Sequence, residues 1–505
     1  MKAEDLYDSI GTVDEDLLER SEQRGKEDEN KTGDTKVRRL TPRMKALIAA
    51  AAVLIVCGVL AFATDIFRKN AGNPKNPDKV PRNYVLAGAW LPRPGMPNGG
   101  GYPDAEVAGA DQQEATDAWY VEPAMRKALL AEYGQDKAYA AINQFTLKSM
   151  RTFLSGRSNV NKVYSPINIY LMLGMLAEST AGNSREQLLS LAGVDSIEDM
   201  RTLSKALWNR LYYEEYGSKC LLGASMWLDE SYTGMYHKDT LNRLANEYYA
   251  ASFMGKMGSK EYNELFQQWM NSMTGGMLEN SVKALELRRD SLMALASTIY
   301  FVEQWGTPFE ENQTKDLTFH AVSGDKTVPF MHEDKNGMYY RGEKYIAVCK
   351  WLMHTQMWLI LPNEGVSVDE LMDDPDLADL MSKSPDELDR TLIHLNVPKF
   401  DISDDPNLIK ALQELGVTDI FDPGAADFSP LLDTEAYVQE ANHSVRVQMD
   451  EEGVKAAALT EVVIAMGLDI PKEEEITVTF DRPFLFLVQS NLGEIPLFAG
   501  VVENP

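Results

Sequence analysis

Hydrophobic and polar residues are sorted along this chain into blocks that predict different kinds of structure. Residues 1–43 are charged and nearly free of aromatics, the pattern of a flexible tail with one short helix near residues 13–23. Ala46 to Ala63 then supplies 18 uncharged residues, about 27 Å of helix and close to the thickness of a bilayer core. Residues 66–133 are rich in Pro, Gly, Asn and Asp and predict a tether with little core of its own, from which Trp90 and Trp119 are able to dock elsewhere.

From about Gly134 the pattern becomes globular. Ala138, Ala141, Ile142, Phe145, Ser149 and Phe153 recur at the spacing of an amphipathic helix. A second helix is predicted over 170–179, and Asn183 or Ser184 is suited to cap a third that Glu186 begins. The apolar run 291–302 reads as a fully buried central strand, 357–362 and 395–400 as further strands, and 407–415 as a helix.

One stretch near the C-terminus has a pattern of its own. It opens with Glu451, Glu452 and Gly453, and a period of two then sets Val454, Ala456, Ala458, Thr460, Val462 and Ile464 on one face. Lys455, Ala457, Leu459, Glu461 and Val463 fall on the other. The first face is small and uncharged and suits a strand entering a packed sheet. The triple alanine suits a helix equally well. The stretch runs into Pro471 and the charges of residues 472–475, which suit exposed chain.

Charge narrows the function. A net charge of −28 argues against a nucleic-acid partner, which needs a basic face. Lys36, Arg38, Arg39, Arg43 and Lys45 cluster before the apolar block, and only Arg68, Lys69 and Lys75 follow closely. That asymmetry predicts a transmembrane helix over 44–65, with a cytoplasmic N-terminus and everything after Asp65 outside. Ala61-Phe62-Ala63 also resembles an export-signal cleavage site, but the polar lead is long for a signal peptide. Cys57 lies in the apolar block, and Cys220 and Cys349 read as buried free thiols. No motif for a metal, a cofactor, a nucleophilic serine or a phosphate loop is present, so an enzyme is not expected.

The hinge-like Glu-Glu-Gly and alanines, followed by Asp481-Arg482-Pro483-Phe484 and the terminal Asn504-Pro505, resemble the serpin family, here in a membrane-tethered form of bacterial type. Ser165-Pro166, Arg185-Glu186-Gln187, the Trp269 to Gly276 turn, Trp305-Gly306 and the Leu415-Gly416 to Phe421 segment extend the resemblance over 134–505. It implies an α+β fold, with helices around a large central mixed sheet and smaller sheets, and a reactive loop exposed near the C-terminus. It also implies a suicide inhibitor of serine proteases, a monomer whose partner is its target protease in a covalent acyl complex. Membrane attachment would run through the N-terminal helix.

Residue by residue, the resemblance makes Glu451, Glu452, Gly453, Val454, Ala456, Ala457, Ala458 and Thr460 the hinge of an inserting loop. The family's spacing places the cut after Gly467 with Leu468 leaving, or one residue earlier at Met466. None of these is basic, so the implied target is elastase-like, chymotrypsin-like or subtilisin-like. A gate under the central sheet is implied at Ser165, Asn168, Ser297, His443 and Trp305. Two of these depart from the family, which has serine where Asn168 stands and asparagine where Ser297 stands. A reciprocal exchange that rebuilds one hydrogen-bonded gate accounts for both, and two unrelated substitutions do so as well. Leu459 and Gly467 are less typical and keep open a non-inhibitory serpin acting as a binding or structural protein. A membrane-anchored receptor is a further alternative, without a partner-binding motif in 1–43 to support it.

Overall fold

In a computed structural model the described residues are 85–87, 135–215, 218–383, 387–439, 441, 443–454, 475–490 and 495–505. The chain divides into compact units 1–69 and 70–505, and all described residues lie in the second. The predicted membrane span therefore falls outside them. Among the described residues no helix is long and apolar enough to cross a bilayer.

The first helix, α1 (Gln135–Leu154), buries Ala141, Ile142, Phe145, Ser149 and Phe153 on one stripe, as the spacing predicts. After β2 (Lys162–Tyr164) comes α2 (Pro166–Ser179), every residue of which is buried. It begins four residues before its predicted start. Pro166 fits the first turn, where no N–H is needed, and the Ser165 hydroxyl caps the end by accepting from Asn168 N.

The predicted cap of the next helix is corrected. α3 (Gly182–Ala192) starts behind Ala181 without a side-chain cap. Asn183 instead donates to Asp419 at 2.6 Å, and the Ser184 hydroxyl accepts from Asp427 N at 3.1 Å. Both side chains are drawn to the 419–427 loop, which removes them from the helix end. α4 (Ile197–Leu211) follows, capped by Ser196.

Two mixed sheets carry the rest. The larger, among the described residues, has nine strands in the order β15-β11-β8-β9-β10-β16-β17-β2, with β7 paired to β8. Its strands are β7 (Lys315–Ala321), β8 (Gly324–Arg341), β9 (Tyr345–Trp351), β10 (Thr355–Pro362), β11 (Asp389–Pro398), β15 (Ile476–Thr479), β16 (Phe484–Ser490) and β17 (Pro496–Val502), with β2 at the end. β16 and β17 are buried throughout, which accounts for their unbroken apolar sequence.

The other sheet runs β1-β5-β4-β6-β14-β13-β12, with β3 on β4. Here β1 is Val85–Ala87, β3 Tyr213–Glu215, β4 Ser218–Asp229, β5 Ala251–Gly255 and β6 Met293–Gln304. β12 is Phe400–Asp404, β13 Val445–Met449 and β14 Gly453–Val454. β1 belongs to the stretch read as a tether, so part of that stretch is an edge strand on β5. Four further helices complete the chain described: α5 (Lys238–Tyr248), α6 (Lys260–Met273), α7 (Glu279–Ala284) and α8 (Leu408–Glu414), the last capped by Asn407. Two short helical segments, Val368–Met372 and Pro375–Ser382, flank the larger sheet. Cys220 and Cys349 are buried and unpaired, as expected.

Candidate functional site: a divided sheet and the hinge that enters it

Strand β6 pairs with β4 along one edge from Met293 to Val302. On its other edge, among the described residues, it pairs with β14 alone, through Gly453–Gln304 and Val454–Glu303. β14 in turn pairs with β13 at Val454–Met449. The hinge residues therefore wedge two strands apart at one end. Below the wedge the inner side chains Met293, Leu295, Ser297 and Ile299 are half-buried, whereas Phe301 and Glu303, nearest to it, are buried. This corrects the expectation of a fully buried central strand: among the described residues nothing pairs with this edge of β6 below Glu303, so its apolar side chains there are only half covered.

A cavity of about 210 Å³ opens along this gap, lined among others by Phe266, Met270, Leu295, Thr298, Gln439 and Ser444. Thr298 Oγ1 and Gln439 Oε1 are buried there without a hydrogen-bond partner. Such groups cost free energy until something supplies a donor or acceptor.

The hinge itself is tightly held. Trp305 N donates to Glu452 O at 2.9 Å and Phe309 N to Glu451 O at 3.0 Å. The Trp305 indole donates to Asp450 O at 2.9 Å, and Asp450 Oδ1 accepts from Glu452 N at 3.0 Å and Gly453 N at 3.2 Å. Glu451 is buried, with Lys399 Nζ 2.5 Å and the Thr314 hydroxyl 2.6 Å from its Oε1. Burial works against its carboxylate, but these two bonds outweigh it and keep the group below the ordinary carboxylate value. Lys350 Nζ lies 4.1 Å from the Phe309 ring centre and 5.3 Å from that of Trp305, and donates to Glu333 at 2.7 Å.

Gly453 makes a close approach that no side chain would allow. A Cβ there would overlap the Glu303 carbonyl oxygen and stand 2.8 Å from Gln304 Cα. Beneath it, the fully buried Glu303 accepts from the Thr355 hydroxyl at 2.6 Å, from His354 N at 3.3 Å and from the Tyr213 hydroxyl. Burial pushes its carboxyl above the ordinary value despite these bonds. Sequence reading missed Glu303. Its only signal was a charge at the end of an apolar run.

Four of the five residues grouped as a gate meet under the sheet. Asn168 Nδ2 donates to Ser297 O at 3.1 Å, and the Ser297 hydroxyl donates to the Asn168 side-chain oxygen. Asn168 N is 3.3 Å from Ser165 Oγ, which donates to Leu497 O at 2.7 Å. Ser165 N donates to His443 Nε2 at 3.1 Å. That bond requires Nε2 to be unprotonated, and complete burial drives the His443 pKa down to about 4, against a smaller opposing effect of Asp404. Trp305 does not join them. It lies eight residues beyond Ser297 on an extended strand, about 27 Å away at ordinary strand rise, and belongs to the hinge clamp. Ala456, Ala457, Ala458, Thr460, Met466, Gly467 and Leu468 lie outside the described residues.

The family model described as serpin (serine protease inhibitor) matches residues 140–505. Plasminogen activator inhibitor 1 of Neovison vison is 27% identical over 392 residues, covering 74% of this chain and 94% of the relative. The native-state crystal structure of tengpin, a thermophilic serpin, aligns with a TM-score of 0.62 at 27% identity, over 73% of this chain and 94% of tengpin. Human thyroxine-binding globulin complexed with thyroxine shares the fold at a TM-score of 0.64 and 21% identity, over 73% of this chain and 98% of its own.

Three outcomes follow from this geometry. Gly453→Ala should cost on the order of 1–3 kcal/mol, the usual penalty of overpacking, read as a lower urea midpoint; an unchanged midpoint would contradict the close approach. Asn168→Ser and Ser297→Asn should each destabilise, while the pair recovers most of the loss with a coupling of roughly 0.5–3 kcal/mol; additive losses would mean the two positions are independent. His443 binds a proton readily only when unfolded, where its pKa is near 6.5. Stability due to it is thus present above 6.5 and lost as pH falls toward about 4, by on the order of 3 kcal/mol. Urea titrations of wild type and His443→Gln across that window should diverge accordingly.

Proposed function

The chain belongs to the serpin family, and from that premise we propose that it inhibits serine proteases as a suicide substrate, its cleaved loop inserting between β6 and β13. The observation that carries this reading is the seating of Gly453 and Val454 in the observed antiparallel register. Continued one residue at a time, that register sets Ala456 opposite Phe301, Ala458 opposite Ile299, Thr460 opposite Ser297 and Ile464 opposite Met293. The 12 residues of β6 would then take Gly453 to Ile464, about 40 Å of strand.

Residues paired directly across an antiparallel ladder share a face. Val454, Ala456, Ala458, Thr460, Val462 and Ile464 would therefore point inward with Glu303 and Ser297. These are the small, uncharged members of the stretch. Lys455 and Glu461 would point outward, where their charges stay hydrated.

In the proposed reaction the protease serine attacks the Gly467 carbonyl, the bond to Leu468 breaks, and the Leu468 amine leaves with a proton. The serine ester that remains is carried along as the loop zips into the sheet. About a dozen ladder hydrogen bonds, each worth about 1 kcal/mol net, would supply the driving force. The protein contributes no catalytic group in this scheme. A medium or small apolar residue at the cut favours an elastase-like, chymotrypsin-like or subtilisin-like target. We further propose a single-pass membrane protein with the inhibitory unit outside, a reading supported by the 18-residue uncharged run and the basic residues before it.

Mixing the full-length protein in detergent with pancreatic elastase, chymotrypsin or subtilisin should give an adduct stable on denaturing gels, with the new end at Met466 or Gly467 by intact mass. Cleavage without an adduct would favour the non-inhibitory alternative. Thr460→Arg should keep cleavage and abolish the adduct, because it forces a charge against Ser297 and Asn168; an adduct at wild-type yield would contradict the extended register.

A further inference from the structure

The far end of the loop runs into β15, an edge strand. Among the described residues β15 pairs with β11 alone, Ile476–Thr479 against Ile393–Asn396. One side chain spans the three outermost strands on their exposed face. His394 on β11 has Nδ1 2.6 Å from Asp334 Oδ1 on β8 and Nε2 3.6 Å from Glu475 Oε2, the residue before β15. Asp334 also faces His332 Nε2 at 3.2 Å. His332 Nδ1 is 2.9 Å from Asn396 Oδ1, and Asn396 Nδ2 donates to Thr479 Oγ1 at 3.1 Å.

Both nitrogens of His394 thus face carboxylates. A neutral imidazole carries one N–H and serves only one of them, whereas the imidazolium serves both. We propose that His394 is a proton-operated latch on the C-terminal root of the loop: doubly protonated, it ties Glu475 and β15 to Asp334 across β11. When it loses a proton the ring can donate to only one of Asp334 and Glu475, the positive charge between them is gone, and β15 is held less firmly. The titratable groups facing it are Asp334 from β8 and Glu475 from the start of β15, with His332 of β8 against Asp334.

The Asp334 hydrogen bond raises the His394 pKa above its ordinary 6.5, partly opposed by desolvation. The latch is therefore fully present below 6.5 and lost as pH rises through the elevated value. Its regulatory meaning rests on the inhibitory reading above. An uncleaved loop that fills the gap beside β6 would leave only the 11 residues 465–475 to run back along a strand of 12, with almost no slack while its root is held. Mild alkalinity would then shorten the life of the active form.

The test is hydrogen exchange of the full-length protein in detergent between about pH 6 and pH 8.5, corrected for intrinsic base catalysis. Peptides covering β15 should lose protection roughly twofold to fivefold more than those covering β16 as pH rises, the size expected of an exposed ion pair. His394→Gln and Glu475→Gln should each flatten that dependence. A wild-type profile equal to that of β16, or one that both substitutions leave unchanged, overturns the latch. This readout needs no protease, so failure of inhibition leaves it intact. Where adducts do form, the rate at which the stored protein loses adduct-forming capacity should rise over the same pH range in wild type and not in His394→Gln.

Discussion

A strand edge carries a row of N–H and C=O groups that must be paired or hydrated, and the rest of this molecule is arranged around one such edge. β6 is paired from Met293 to Val302 on the side of β4, and among the described residues its other side is engaged at Gly453 and Val454. Everything that closes the wedge end favours contact: a glycine without Cβ against the Glu303 carbonyl, Val454 buried between β6 and β13, and carbonyls of Glu451 and Glu452 taken by Phe309 and Trp305. The hinge has already made the first rungs of a ladder, so each further rung is an extension rather than a nucleation.

The opposite pull comes from beneath the sheet. The Asn168–Ser297 pair ties β6 to the buried helix α2 at the level where a twelve-residue strand would be about two-thirds inserted. Ser165 links that pair to His443 and to β17 through Leu497 O. A largely buried hydrogen-bonded network of this kind resists partial rearrangement, since breaking one bond leaves its partner unsatisfied. The site therefore combines an entrance poised to extend with a core that makes intermediate openings expensive.

Much of this was legible in the chain. The apolar stripe of α1 and the buried helix after Ser165 were legible, though the latter starts earlier than its pattern predicts, and the period-two face beyond Val454 lies outside the described residues. What escaped reading depends on distance in space rather than in sequence. The resemblance groups Trp305 with the gate, yet the extended strand after Ser297 carries it to the hinge end of the sheet. Glu303 was passed over because nothing local reveals that Thr355, His354 and Tyr213 converge on it. Asn183 and Ser184 have the chemistry of caps, and only the neighbouring loop shows that they bond elsewhere. The run 291–302 looked fully buried because its residues suit burial. Whether a strand covers them is a property of the whole sheet.

The two ends of the loop are held by opposite electrostatic designs. At the hinge, Glu451 is buried against Lys399 and Thr314, with Lys350 and Glu333 nearby under the Trp305 and Phe309 rings. Burial opposes the Glu451 charge, but its hydrogen-bonded partners hold the carboxyl below the ordinary value, so it stays ionised across the physiological range. At the root, Glu475 is exposed and its partner is an imidazole, the one side chain whose charge changes near neutrality. The entrance to the sheet is thus insulated from its surroundings while the exit is open to them. On the inhibitory reading proposed above, this asymmetry would let the hinge fix where the strand begins while solution conditions reach only the far end.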